Sequence, residues 1–519
     1  MGVLPVLITL LAVIVYLVYV LSKKKYDYWK KKNVPYLKPL PILGNYGKYI
    51  LQQEYQGHAV QKLCQQFPDK PLFGAFYGTE PVLIVQSPEL LKHVLIKDFY
   101  YFNGREITKY EDKECFTQSV FFSSGDRWKI LHQNYVSILT AAKVKRMFHL
   151  IEKYSHEFED MLDIETGTCD VVEAKNISVR FSLDCVCSCA FGVESNTMLQ
   201  PDKNIFKSIS DEVFRATYFR GFKNIFRIIW PAIFYGLGLK CYPEVLNQFF
   251  SKLLKGVFES RNHTPSPRND FVDLLLTLKN EGVVTCDSIN NIKTGLDEKV
   301  TLKLDDEFIL AQCIAFFGGG LETSATALCF TLFEIAKNPA VQKRAAEEVD
   351  DYLRRHGNKL DFECTTELPY INACIYETLR RYPPLGVITR EVMDDYTFPD
   401  GLRLDKGVRV HIPVYALHHN PDYFPEPEVF NPERFLPPNK DNIKQYTYFS
   451  YGEGKRFSIM LMVSGIITVL KKYNLTLAEG MPEEVPLEPR TLLTHPMNQG
   501  LLLKVTKRDG WEQRTFVRS

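Results

Sequence analysis

Tyr448-Phe449-Ser450-Tyr451-Gly452-Glu453-Gly454-Lys455-Arg456-Phe457-Ser458-Ile459-Met460 is the stretch whose reading decides the fold. An aromatic residue precedes two glycines, two cations follow, and the chain then runs into an apolar segment through Leu461 and Met462. Three upstream segments lead to it in order. Asp306 to Lys337 reads as one long apolar helix, broken at its centre by Gly318-Gly319-Gly320 and followed there by Glu322-Thr323. Each Gly costs a helix about 1 kcal/mol against Ala, so three together need a reason. Removing side chains lets something large approach the backbone. Leu368 to Tyr382 is a second helix, with Ile371, Ile375 and Leu379 at helical spacing and a stop at Pro383-Pro384. Glu377 and Arg380, at i and i+3, share one of its faces. Asn431-Pro432-Glu433-Arg434-Phe435 stands between that helix and Phe449.

Together these segments resemble the cytochrome P-450 superfamily, and the resemblance runs over essentially the whole chain. The haem loop of that family reads F-x-x-G-x-x-x-C-x-G. Phe449, Gly452, Gly454 and Arg456 fall where the pattern wants them. Ser458 stands where a Cys thiolate would bind the iron, and Met460 stands where a Gly is expected. Two alignments account for this. One is plain substitution at both positions. The other is a deletion: insect microsomal members read R-x-C-I-G-x-R-F, whereas here Arg456-Phe457 leads directly into Ser458. One deletion removes both Cys and Gly, and leaves the next helix about six residues, or one and a half turns, short. Neither alignment restores a thiolate.

The resemblance implies a mainly α fold with a smaller β region, the cytochrome P-450 fold, preceded by one N-terminal transmembrane helix. Gly319, Gly320, Glu322 and Thr323 resemble the oxygen-activating [AG]-G-x-[DE]-T segment, which implies dioxygen binding by Thr323 and proton delivery through Glu322. Glu377 and Arg380 resemble the E-x-x-R pair, with Arg434 completing a buried network that fixes the scaffold. Arg390 sits where a cation meets a haem propionate. Trp128 resembles the Trp of W-x-x-x-R, but the residue four later is His132. The implied cofactor is haem, with electrons from NADPH through NADPH-cytochrome P-450 reductase. The implied substrate is an apolar small molecule, of the xenobiotic, insecticide or hormone kind. Two functions are therefore expected: a haem-dependent monooxygenase impaired by loss of its ligand, or a catalytically inactive membrane-anchored relative. Met460 and Met462 offer thioethers, which lack a thiolate's charge and electron donation.

The rest of the chain agrees with a membrane-bound globular protein. Lys+Arg 63 against Asp+Glu 62 leaves +1, so there is no bulk electrostatic case for nucleic acid. Val3 to Leu21 is nearly unbroken apolar sequence, about the 20 residues a bilayer-spanning helix needs. Lys23-Lys24-Lys25 follow, so residues 1–22 read as an uncleaved anchor in the endoplasmic reticulum membrane, with the remainder cytosolic. Residues 23–45, with Pro35, Pro39 and Pro41, read as a stiff linker, and 46–519 as the catalytic unit. Pro201 to Tyr235 mixes aromatic and basic residues, which suits either a membrane-touching surface or aromatics packed inward with the cations in water. Val408, Val410 and Ile412 alternate with Arg409 and His411 as a half-buried strand. Phe99–Phe102 and Phe116–Phe122 read as an aromatic lid. Cys185, Cys187 and Cys189 read as core thiols, and His418-His419 as a structural turn. No G-x-S-x-G, H-E-x-x-H or complete phosphate loop occurs.

Overall fold

The structure is a computed structural model and describes residues 3–450, 455–497 and 500–518. Helix α1, Val3–Tyr26, carries Lys23, Lys24 and Lys25 in its last turn, where the helix dipole favours cations. The following stretch is docked rather than free. Trp29 is fully buried and donates its indole N–H to the Ala75 carbonyl at 2.9 Å. Its ring lies over Gly74, where any Cβ would collide with it. Tyr36 then bridges to Gly74, so the proline-containing segment extends a sheet edge.

That sheet holds β1 (Leu72–Tyr77), β2 (Glu80–Val85), β3 (Ile388–Glu391) and β4 (Arg409–Ile412) in the order β1-β2-β4-β3. β4 runs parallel to β2 and antiparallel to β3. The expected half-buried strand is in fact buried along its whole length. The reason is its interior position with both faces covered, where its polar residues find partners within the fold. The Tyr46 hydroxyl meets His411 Nδ1 at 2.8 Å, and burial lowers the His411 pKa.

The helical body contains α2 (Gly125–Ile138), α3 (Phe148–Thr168), α4 (Ala174–Val186), α5 (Tyr218–Ile229), α6 (Asp306–Lys337), α7 (Pro369–Arg381) and α8 (Lys455–Leu470). α6 is capped by Asp305, whose side chain accepts from the Phe308 N–H. It crosses the core unbroken, so the expected interruption at Gly318-Gly319-Gly320 does not occur. Glycine weakens a helix without removing its backbone donors, and neighbouring helices hold this one. α8 is apolar all round and buried from Phe457 to Leu470, as such a helix must be. It packs on α3 and α6. Gly465 permits this approach, since a Cβ there would lie 3.0 Å from Phe181 and 3.1 Å from Leu328. Cys185, Cys187 and Cys189 are buried in the same core. Among the described residues α6 is long and apolar enough to cross a membrane, but 67% of its apolar window is buried, which makes it a core helix.

Along α5 the expected inward packing of aromatics with the cations in water holds only in part. Tyr218, Phe219 and Phe222 are 66%, 72% and 54% exposed, whereas Arg227 is buried, 3.5 Å from Glu114. At its end Trp230 donates to the Thr79 hydroxyl at 2.7 Å, and Tyr26, at the end of α1, reaches the Gly78 carbonyl at 3.4 Å. The exposed aromatic helix and α1 therefore leave the body at the same β1–β2 turn.

Candidate functional site

The glycine triplet divides by face. A Cβ on Gly319 would meet nothing within 4 Å, and one on Gly318 only Phe214 at 3.9 Å. Both line an apolar cavity of about 290 Å³, together with Phe121, Phe122, Thr323 and Leu385. Gly320 turns away toward Val186 of α4, 3.6 Å from where its Cβ would be. The structure thus brings Gly319 to the cavity and sets Gly320 against a neighbouring helix. Thr323 donates to the Gly319 carbonyl at 2.7 Å, one turn back.

Glu322 faces different surroundings from Thr323. It is buried among the Lys175 ammonium, the Thr326 hydroxyl and His495 Nε2, the last at 3.0 Å. Burial alone would raise its pKa, but Lys175 and His495 overcome this and hold it below the usual glutamate value. Burial pushes His495 down to about 4. Sequence reasoning missed Lys175 and His495, because nothing local ties either to the Glu322 turn.

Below the cavity, Glu377 and Arg380 are both fully buried and joined by two hydrogen bonds of 2.8 Å. Arg434 Nε approaches Glu377 Oε1 at 3.4 Å, and the Asn431 N–H donates to that oxygen at 3.0 Å. Arg380 also donates to the His418 carbonyl at 2.8 Å and the Pro427 carbonyl at 2.6 Å. With its carboxylate and carbonyls paired, this buried charge is compensated. His418 joins the network to the loop above. The Phe449 N–H can only donate, so His418 Nε2 accepts at 2.8 Å and Nδ1 carries the proton to the Arg380 carbonyl at 2.9 Å. Burial drives the His418 pKa down to about 3, which keeps that neutral form. Gly452 and Gly454, next in the loop, lie outside the described residues.

Trp128, Arg390 and Arg456 are not among the residues that line the cavity. Trp128, on the first turn of α2, stacks on His132 at 4.7 Å and meets Phe99 at 4.8 Å with the rings tilted. Arg390 on β3 donates to the Thr389 carbonyl at 2.8 Å. Arg105, which sequence reasoning missed, lies over the Phe121 ring at 4.6 Å. Arg456 is solvent-exposed on the first turn of α8. Of the expected lid, Phe116, Phe121 and Phe122 line the cavity, while Phe102 is packed against Tyr396 in a separate core.

Ser458 lies inside α8 and is buried, its hydroxyl 2.6 Å from that of Ser324 on α6. Met460 and Met462 are fully buried in the core. A sequence model of the cytochrome P450 family matches residues 34–503, nearly the whole chain. The chain belongs to the cytochrome P450 family. It is similar to cytochrome P450 6k1 of Blattella germanica, 30% identical over 500 residues and covering 93% of each chain. Cytochrome P450 9e2 of the same species is 31% identical over 493 residues, 90% of this chain and 92% of the relative. Cytochrome P450 6B2 of Helicoverpa armigera is 28% identical over 511 residues, 97% and 98% of the two.

Membership of the P450 family implies haem, with electrons supplied by a reductase. The residues of this P450 fit that group at one end only. Cations suited to carboxylates are present in Arg105 and Arg390. At the position that the haem-loop pattern gives to Cys, Ser458 carries a hydroxyl, which is already paired with Ser324. The last cysteine of the chain is Cys374, buried in α7. The donor set does not fit a haem-thiolate.

Proposed function

We propose that this P450 is a membrane-anchored relative of insect enzymes that oxidise lipophilic compounds, one that keeps their apolar cavity and has lost thiolate-dependent monooxygenation. The observation that carries the reading is the Ser458–Ser324 hydroxyl pair. A serine hydroxyl is far from deprotonation near neutral pH, and thiolate donation is what promotes O–O cleavage in such sites. The same pair favours deletion over substitution. Ser458 lies one turn inside α8 and faces α6, a position that suits the body of the helix rather than the loop before it.

On this reading Trp128, Gly319, Arg390, Phe449, Gly452, Gly454 and Arg456 are the remaining frame of a haem site, with Glu322 and Thr323 its former acid and hydroxyl. NADPH-cytochrome P450 reductase is the electron donor of the ancestral activity. Residues 1–22 anchor the protein in the endoplasmic reticulum membrane and 23–45 connect to the body at 46–519. The basic end of α1 supports a cytosolic body. The exposed Phe219 and Phe222, emerging beside α1, support contact of α5 with the same membrane.

The test is the carbon monoxide spectrum of the purified, dithionite-reduced protein. No thiolate-type Soret band is expected, and its presence overturns the proposal. A second reading, an intact monooxygenase, is favoured by the complete Glu377–Arg380–Arg434 network. It requires a Cys in the transcript across Arg456–Met460, which sequencing that transcript decides.

A further inference from the structure

α5 turns aromatic rings outward and an arginine inward. Tyr218, Phe219 and Phe222 are exposed, while Gly221, Ile225, Arg227 and Ile229 are buried. Arg227 is 3% exposed and lines the apolar cavity together with Phe122, Gly318, Gly319 and Thr323. A charged side chain is almost never fully buried without a partner, so its surroundings have to account for it.

Glu114 accounts for the charge. This carboxylate is buried as well, with Oε1 3.5 Å from Arg227 Nη1, close enough for attraction but long for a hydrogen bond. Glu114 takes its hydrogen bonds elsewhere. The Tyr235 hydroxyl donates to Oε1 at 3.1 Å, and the Cys241 and Tyr242 N–H groups donate to Oε2 at 2.8 and 3.0 Å. The guanidinium carbon lies 5.5 Å from the Phe122 ring centroid and 5.4 Å from that of Tyr242, which suits a cation. Among the described residues neither Nε nor Nη1 of Arg227 has a hydrogen-bond partner. Buried donors left unserved are costly and rare in folded proteins. Here the charge is met and the donors are not.

We propose that Arg227 selects the ligand of the cavity, donating to the carbonyl oxygen of an apolar ketone or ester whose hydrocarbon part lies against Gly318 and Gly319. An oxygen that accepts without adding charge fits both facts about this arginine. A carboxylate would stand beside Glu114 and be repelled, and a pure hydrocarbon would leave the N–H groups unserved. A site built to donate a hydrogen bond rejects the analogue that lacks the acceptor. At about 290 Å³ the cavity is near the lower end of small-molecule sites, which start at roughly 300 Å³. The inference rests on the preceding reading that the apolar cavity is kept, and names the class of molecule it takes.

The test titrates the purified full-length chain in phospholipid nanodiscs by calorimetry, with empty nanodiscs as the blank. The probes are hexanophenone, hexylbenzene and ω-phenylhexanoic acid, which have the same number of carbons and differ in their oxygen. The ketone is expected to bind at least about ten-fold more tightly than either of the others. Its carbonyl, isotope-labelled, is expected to absorb at a lower infrared frequency in the complex than in hexane. Arg227→Met combined with Glu114→Gln removes both charges together, so no lone buried charge remains. In that variant ketone affinity is expected to fall about ten-fold, to that of the hydrocarbon, with hydrocarbon binding unchanged. Arg227→Lys is expected to keep part of the preference. Should the double variant fail to fold, the carbonyl band of the wild-type complex decides alone. Equal binding of ketone and hydrocarbon overturns the proposal, as does an unshifted carbonyl band, which leaves Arg227 to water. Tighter binding of the acid overturns it in favour of an anion site. Failure of all three probes to bind overturns it together with the kept cavity, whereas a thiolate-type carbon monoxide band sinks only the lost monooxygenation of the preceding reading.

Discussion

Ser458→Cys is the direct trial of substitution against deletion. If Ser458 occupies the ligand position, one sulfur atom repairs the site; if a segment is missing, it repairs nothing. The geometry favours the second outcome. A flat ring between two surfaces needs roughly 3.5–4 Å of van der Waals separation on each side, about 7–8 Å in all. The Ser458 and Ser324 oxygens are 2.6 Å apart, so at this point no ring lies between α8 and α6. A thiol at 458 would press on α6 rather than face a porphyrin. Its cost is a lost buried hydrogen bond, about 0.5–1.5 kcal/mol, plus overpacking of about 1–3 kcal/mol. Against a stability of roughly 5–15 kcal/mol the variant stays folded, which circular dichroism melting verifies. The assay is the reduced carbon monoxide difference spectrum, run beside a chain with Cys-Ile-Gly-Ala-Arg-Phe inserted between Phe457 and Ser458. The expected result is no thiolate band from Ser458→Cys and a band from the insertion. A thiolate band from Ser458→Cys alone refutes the deletion argument.

Further perturbations follow from the packing. Glu377→Ala strands Arg380 in a fully buried position and is expected to cost about 3–5 kcal/mol by urea unfolding. Arg434→Ala is expected to cost less, since Arg434 keeps 12% of its side chain exposed and meets Glu377 at 3.4 Å. Burial raises the Glu391 pKa from 4.5 to about 7. The folded state therefore holds that proton longer than the unfolded one, and its stabilisation is complete below about pH 4.5 and lost as pH rises through 7. Glu391→Gln is expected to gain on the wild type by up to roughly 3 kcal/mol between pH 4.5 and pH 8, with a pH-independent melting difference counting against this. Gly319→Ala is expected to stabilise by about 1 kcal/mol because its Cβ meets nothing, while Gly465→Ala is expected to destabilise through Phe181 and Leu328. Equal melting shifts for the two would contradict the packing of α8 on α6.

What the sequence made legible was whatever depends on neighbours along the chain. α7 was expected from Leu368 to Tyr382 and spans Pro369–Arg381, because apolar spacing and the Pro383-Pro384 stop are local signals. Glu377 and Arg380 face each other because i and i+3 share a helix face. The division of Gly318, Gly319 and Gly320 was readable in principle, since successive helical residues are rotated by about 100° and three in a row cannot all face one cavity. The burial of β4 was not readable, because alternation describes one strand and not what covers its two faces. The bridge between Gly104 and Glu391 was still less so. It joins two segments distant along the chain, and the neighbours of neither residue announce the other. The same limit holds at the most important position. Ser458 can be seen in the sequence to be no thiolate, but that its hydroxyl closes α8 onto Ser324 of α6 is a fact of tertiary packing. That contact turns a missing ligand into a physical argument: where two helices already touch through their hydroxyls, exchanging one oxygen for sulfur changes the chemistry of a contact and does not make a binding site.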